Sequence, residues 1–122
     1  MVRFPTTGGD EPDKPAGLAA FGRYAGPATL ILSSLADGTK HGYALTKDIE
    51  AFAAVRLAPG TLYEALARLE RQGLIEAVET DDRRRPYKLT SAGAVVLRVH
   101  LDAQRRIAEV GLRRLADSLG HA

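Results

Sequence analysis

The chain has 122 residues, 45% apolar and 26% charged, the size and balance of one soluble globular domain. It has no cysteine, which excludes disulfides, thiolate chemistry and the commonest structural zinc sites, and no apolar run approaches the ~18–20 residues of a membrane span. Seventeen Lys and Arg against 15 Asp and Glu leave a net charge of +2 with no basic block, so any nucleic-acid argument rests on where individual arginines stand.

Half of the glycines and prolines fall within residues 1–27, and residues 1–15 lack apolar periodicity, which predicts a disordered N-terminal arm. No basic stretch precedes an apolar core there, so a secretory leader is not expected and the expected location is cytoplasmic. Residues 16–24 are expected to form a short helix with Phe21 and Tyr24 on one face, although Gly22 and Gly26 weaken it. Pro27 suits the start of the next helix, where Leu30, Ile31 and Leu35 follow at helical spacing. Asp37-Gly38 supplies its stop, with Gly38 free to take a left-handed backbone.

A second helix is predicted over residues 42–52, with Leu45, Ile49 and Phe52 on one face. The third starts at Pro59, places Leu62, Ala65, Leu66 and Leu69 at i, i+3, i+4 and i+7, and ends at Gly73. Residues 74–79 and 86–89 then read as a small hairpin with a charged tip, Pro86 standing at a strand's start. Thr90 caps a long helix over residues 91–119, in which Gly93 and Gly111 each cost up to ~1 kcal/mol against Ala. The fold class is therefore mainly α with a small β-hairpin. The layout is a winged helix-turn-helix over residues 16–90, followed by a long C-terminal dimerisation helix over residues 91–122.

The outer face of the third helix carries Gly60, Thr61, Glu64, Ala67, Arg68 and Arg71, with Tyr63 on the flank. Small residues at its start let a backbone approach, Thr61 can reach a base edge or phosphate, and the first N–H groups favour phosphate. The competing reading is an amphipathic helix with a solvated side. The hairpin tip Asp81-Asp82-Arg83-Arg84-Arg85 is a basic finger able to lie along a nucleic-acid backbone. Its competing reading is a solvated turn in which the two aspartates balance two arginines. A helix followed by a basic wing at this spacing is a docking unit, which favours duplex DNA as the partner of both.

On the long helix, Leu97, Leu101, Ala108, Leu112, Leu115 and Leu119 form one stripe, interrupted by Gln104. Val96, Ala103, Ile107 and Val110 form an adjacent one. About 28 residues span roughly 40 Å, more than the wing domain needs for cover. The expectation is one stripe for the chain's own domain and one for a partner copy, with Leu97, Leu101, Ala108, Leu112, Leu115 and Leu119 as the dimer interface; the alternative is that residues 16–27 fold back over the second stripe. His41, His100 and His121 are too scattered to clamp a metal, and no phosphate loop, nucleophile elbow or dinucleotide fingerprint is present. Neither an enzyme nor a cofactor is expected.

The run His41-Gly42-Tyr43-Ala44-Leu45, then Pro59-Gly60-Thr61-Leu62-Tyr63 with Leu66 and Leu69-Glu70, resembles the PadR family of transcriptional regulators. Gly73-Leu74-Ile75, Asp81-Asp82-Arg83-Arg84-Arg85-Pro86-Tyr87 and Leu89-Thr90 with Gly93 follow in the family's order, so that the likeness covers about residues 21–119. The resemblance implies a homodimeric winged helix-turn-helix that binds a pseudo-palindromic operator and represses, in some members until a small-molecule effector relieves it. It places Gly60, Thr61 and Tyr63 on the DNA-facing start of the recognition helix, and Arg83, Arg84, Arg85 and Tyr87 on the wing. Arg68 joins the DNA-facing set from the helix's outer face. Lys47 is positioned for the DNA backbone, and Tyr43 either touches a phosphate or, as the favoured reading, packs against the third helix. Phe21, Tyr24 and His100 are candidate lining for an effector cavity.

Two departures qualify the resemblance. Ala58 stands where the family often has a capping Ser, a loss on the order of 1 kcal/mol. No Trp is present to sandwich a planar drug at the dimer centre, and a single helix after the wing matches the family's short subtype. The alternative function is a winged-helix module that binds a protein partner and not DNA.

Overall fold

A computed structural model describes residues 17–81 and 84–120; the expected N-terminal arm over residues 1–15 and wing residue Arg83 lie outside the described residues. In α1 (Ala25–Leu35), Ala28, Ile31, Leu32 and Leu35 recur at i, i+3, i+4 and i+7, and all four are buried. The helix starts two residues before Pro27, which sits in the first turn, where its missing N–H costs nothing. Beyond it, Gly38 takes a φ of 154°.

Helix α2 (Gly42–Ala53) buries Leu45 and Ile49, but Phe52, expected on the same face, is exposed. It stops at Ala54, a non-glycine residue in the left-handed region (φ 56°, ψ 34°), whose N–H donates to the Glu50 carbonyl at 3.0 Å. Helix α3 (Pro59–Arg71) buries the whole predicted face of Leu62, Ala65, Leu66 and Leu69. Its end is a left-handed Gly73 (φ 75°), with the Leu74 N–H reaching back to the Leu69 carbonyl at 3.0 Å, the hydrogen-bond pattern of a Schellman stop.

Strands β1 (Ile75–Ala77) and β2 (Tyr87–Leu89) pair antiparallel, Ile75 opposite Leu89 and Ala77 opposite Tyr87. Lys40 joins their edge: its N–H donates to the Tyr87 carbonyl at 3.1 Å and its carbonyl accepts from the Tyr87 N–H at 2.8 Å. This bridge ties the loop before α2 to the wing. The Lys40 ammonium is itself held by Asp37 and by the Ser34 carbonyl at 2.5 Å.

Helix α4 (Ser91–Gly120) begins as predicted. The Thr90 hydroxyl accepts the Gly93 N–H at 3.0 Å and donates to the Gly73 carbonyl at 2.7 Å, capping α4 while tying it to the end of α3. Gly93 is more than a weak helix former. A Cβ there would lie 2.0 Å from the Leu74 carbonyl oxygen and 2.9 Å from Leu89 Cδ1, so the α4 backbone rests directly on the start of the wing. Among the described residues no helix is long and apolar enough to cross a membrane.

The expected helix over residues 16–24 is instead a 3-10 segment, Leu18–Tyr24, broken at Gly22 (φ 59°, ψ −127°). It buries Leu18 and Phe21 against α1 and α3. Ile107, in the second stripe of α4, is left 71% exposed, so the described part of residues 16–27 does not cover that position. Leu18, Ile31, Leu45, Leu66, Leu74 and Leu97 belong to one continuous core shared by every helix and by β1.

Candidate nucleic-acid interface

The start of α3 is open. Gly60 has nothing within 4 Å of where a Cβ would stand, and Ala58 gives the helix no side-chain cap. The first-turn N–H groups are thus left without a capping oxygen, as anion-accepting helix starts are. Thr61, one residue on, is half-buried.

Tyr63 extends from the second turn of α3 toward α2 and is 56% exposed. Its ring lies across Gly42: a Cβ on Gly42 would stand 2.6 Å from the Tyr63 hydroxyl. Together with His41, Tyr43, Arg84, Arg85 and Tyr87 they line an open cleft of about 340 Å³ between the starts of α2 and α3 and the wing. Four of the predicted DNA-facing residues, Tyr63, Arg84, Arg85 and Tyr87, are therefore brought together. Gly60, Thr61 and Lys47 lie outside the cleft lining.

The wing is fastened on its other side. Arg85 Nη2 lies 3.7 Å from Glu70 Oε2, near the end of α3. Burial raises the Tyr87 phenol above its ordinary pKa; Glu70 and Tyr63 push the same way, and Arg85 opposes them. Tyr87 thus stays a neutral hydroxyl through the physiological range, able to donate a hydrogen bond.

Several sequence expectations are corrected here. Tyr43, expected to pack against the third helix, is 66% exposed, with the Lys47 ammonium 5.8 Å from its ring centroid. The tyrosine that bridges the two helices is Tyr63. Arg68 is not turned to the cleft: its guanidinium stacks 4.5 Å from the Tyr24 ring centroid, and Nε sits 3.1 Å from Glu64 Oε2. Phe21, Tyr24 and His100 do not form one cavity, because Phe21 is a core residue and Tyr24 is engaged by Arg68 and Arg23. His100 instead lines a separate, mostly apolar groove of about 480 Å³ with Gln104, Pro27, Leu30, Val55 and Leu57.

The division of α4 also differs from expectation. Leu97, placed in the partner stripe, is only 6% exposed and belongs to the chain's own core, with Val96 packed beside it. From Leu101 onward the first stripe surfaces, with Leu101, Ala108, Leu112, Leu115 and Leu119 exposed, while in the second Ile107 is exposed and Ala103 and Val110 are half-buried. The first stripe is thus divided along its length, Leu97 serving the chain's own core and Leu101 to Leu119 facing outward. His41 and Gly42 line the cleft although sequence reasoning gave them no contact of their own; their place in the His41-Gly42-Tyr43 motif was the available signal.

The model of the transcriptional regulator PadR-like family matches residues 31–99, from the middle of α1 to the third turn of α4, and so includes the whole cleft. The chain belongs to the PadR-like family. PadR-like proteins are transcription regulators that bind DNA, not enzymes, and the fold is accordingly a winged helix. A transcriptional regulator of Mycobacterium tuberculosis is 37% identical over 94 residues, covering 75% of this chain and 83% of its own. An uncharacterised transposon protein of Streptomyces fradiae is 44% identical over 79 residues; the match takes in 65% of this chain but spans only 23% of that relative's length. A PadR family transcription regulator from Clostridium difficile superposes with a TM-score of 0.66 at 29% identity, covering 72% of this chain and 96% of the other.

Proposed function

We propose that this PadR-like chain is a homodimeric, sequence-specific DNA-binding regulator that represses by occupying a pseudo-palindromic operator. One observation carries the reading: the open start of α3 and the arginines of the wing flank a single cleft, so one duplex can engage both. Gly60 and Thr61 enter the major groove, where Gly60 leaves room for a close approach and Thr61 meets a base edge. Tyr63 and Tyr87 line the backbone crossing. Arg84 and Arg85 neutralise phosphates, with Lys47 contributing from α2.

The exposed apolar length of α4 joins two copies, each reading one half-site. The apolar groove beside His100 seats an effector that relieves repression. The test is binding to a labelled duplex from the region upstream of the chain's own gene, across a salt series. Arg84→Ala weakens binding to all duplexes and flattens the log–log salt slope by about 0.9 for each phosphate no longer neutralised. Thr61→Ala changes sequence preference and leaves the slope alone. A wild-type protein with no affinity for any duplex at low salt would favour the protein-partner module, which the small net charge of +2 keeps in view.

A further inference from the structure

We infer that Gly42 is a positioning residue: its missing side chain sets the pose of Tyr63, and through Tyr63 the shape of the cleft that meets DNA. The inference rests on the DNA-binding reading above and assigns a role to a residue that itself need not touch the duplex.

A Cβ at position 42 would stand 2.6 Å from the Tyr63 hydroxyl oxygen, 3.2 Å from Cζ and 3.5 Å from Cε1. The ring's outer end therefore occupies the space that any other residue at 42 would fill. The glycine is not required by the backbone, because Gly42 is an ordinary first residue of α2 and is absent from the positive-φ residues. Alanine would be the better helix former there by up to ~1 kcal/mol. Local propensity thus argues against glycine, and the Tyr63 contact supplies the reason for it.

What yields on substitution is also defined. The nearest atom is the far end of a rotatable side chain with 56% exposure, not a backbone carbonyl, so Tyr63 swings and the fold holds. Tyr63 leaves from the second turn of α3, three residues beyond Gly60, and shares the cleft with Arg84, Arg85 and Tyr87. A displaced ring alters the surface between the recognition helix and the wing while both elements stay in place. Gly93 is the contrast: there the added methyl meets a backbone carbonyl, and the framework itself must move.

The experiment is a double-mutant cycle on the full chain, using Gly42→Ala, Tyr63→Phe and the pair, with duplex from the upstream region as probe. Gly42→Ala is expected to keep the wild-type melt and to weaken binding on the order of tenfold, similar to the effect of one mismatched base pair. In the Tyr63→Phe background, where the atom at 2.6 Å is gone, the same substitution costs no more than about threefold. The Tyr63 ring resonances shift in Gly42→Ala. Equal fold losses in both backgrounds overturn the inference, as do unmoved ring resonances. Should Gly42→Ala melt low, recovery of the melt on adding Tyr63→Phe supports the contact, and no recovery overturns it. If wild type binds no duplex, the DNA reading fails by itself, and the ring resonances still decide whether Gly42 holds Tyr63.

Discussion

A methyl group at position 93 would sit 2.0 Å from the Leu74 carbonyl oxygen, inside any nonbonded carbon–oxygen approach, and the obstacle is backbone. Gly93→Ala is expected to destabilise by about 1–3 kcal/mol despite the ~1 kcal/mol that alanine gains in helix propensity. Gly111, on the same helix with nothing within 4 Å of its would-be Cβ, gives the opposite sign when changed to Ala. Urea midpoints of the two variants separate packing from propensity, and equal shifts would refute the close approach. Tyr87 offers a second test at this scale. Its folded pKa is raised, so its contribution to stability is complete below the ordinary tyrosine value of 10.0 and is lost as pH climbs through the raised value. In an alkaline titration followed by tyrosinate absorbance, Tyr87→Phe is expected to remove a step that lies above the ordinary tyrosine value. A Tyr87→Phe variant that loses no such step would contradict the burial that causes the shift.

Among the elements, α3 was the most legible. A run of apolar residues at i, i+3, i+4 and i+7 names a buried face without reference to anything else in the molecule, and Leu62, Ala65, Leu66 and Leu69 are all buried. The Gly73 stop and the Thr90 cap were legible for the same reason: each depends on hydrogen bonds that its own residue chemistry favours. What stayed hidden depends on segments distant in sequence. Nothing local announces that Lys40 pairs with Tyr87, that Tyr63 and not Tyr43 spans α2 and α3, or that Arg68 stacks on Tyr24. The left-handed Ala54 is a further case, since glycine is the usual signal for such a stop and alanine gives none. At this scale the missing cap of α3 is directly testable. Ala58→Ser supplies an oxygen to the first-turn N–H groups and is expected to add about 1 kcal/mol of stability in urea unfolding. No gain would mean that those N–H groups are already satisfied.

For the molecule as a whole, the lengthwise division of α4 sorts its leucines into two kinds. Leu97→Ala is expected to cost the chain about 2–5 kcal/mol, because it opens a hole in the chain's own core. Leu112→Asp with Leu115→Asp leaves that core untouched, since both side chains are exposed within one copy. Sedimentation should show the proposed dimer falling to monomers of unchanged melting behaviour at low concentration, with operator binding lost alongside. A double variant that remains dimeric would place the joint elsewhere.

Gly93 and the Thr90 cap have a consequence at this scale. They join the start of the long helix to the start of the wing by close backbone contact and by hydrogen bonds, which favours the rod and the reading head turning together. In a dimer joined through the rods, the distance and phase between the two heads are then built into the helix as a gauge. Each residue inserted between Leu97, in the core, and Leu101, where the exposed length begins, rotates a head by about 100° and moves it about 1.5 Å outward. Preference for half-site spacing should therefore rise and fall periodically with the number of inserted residues.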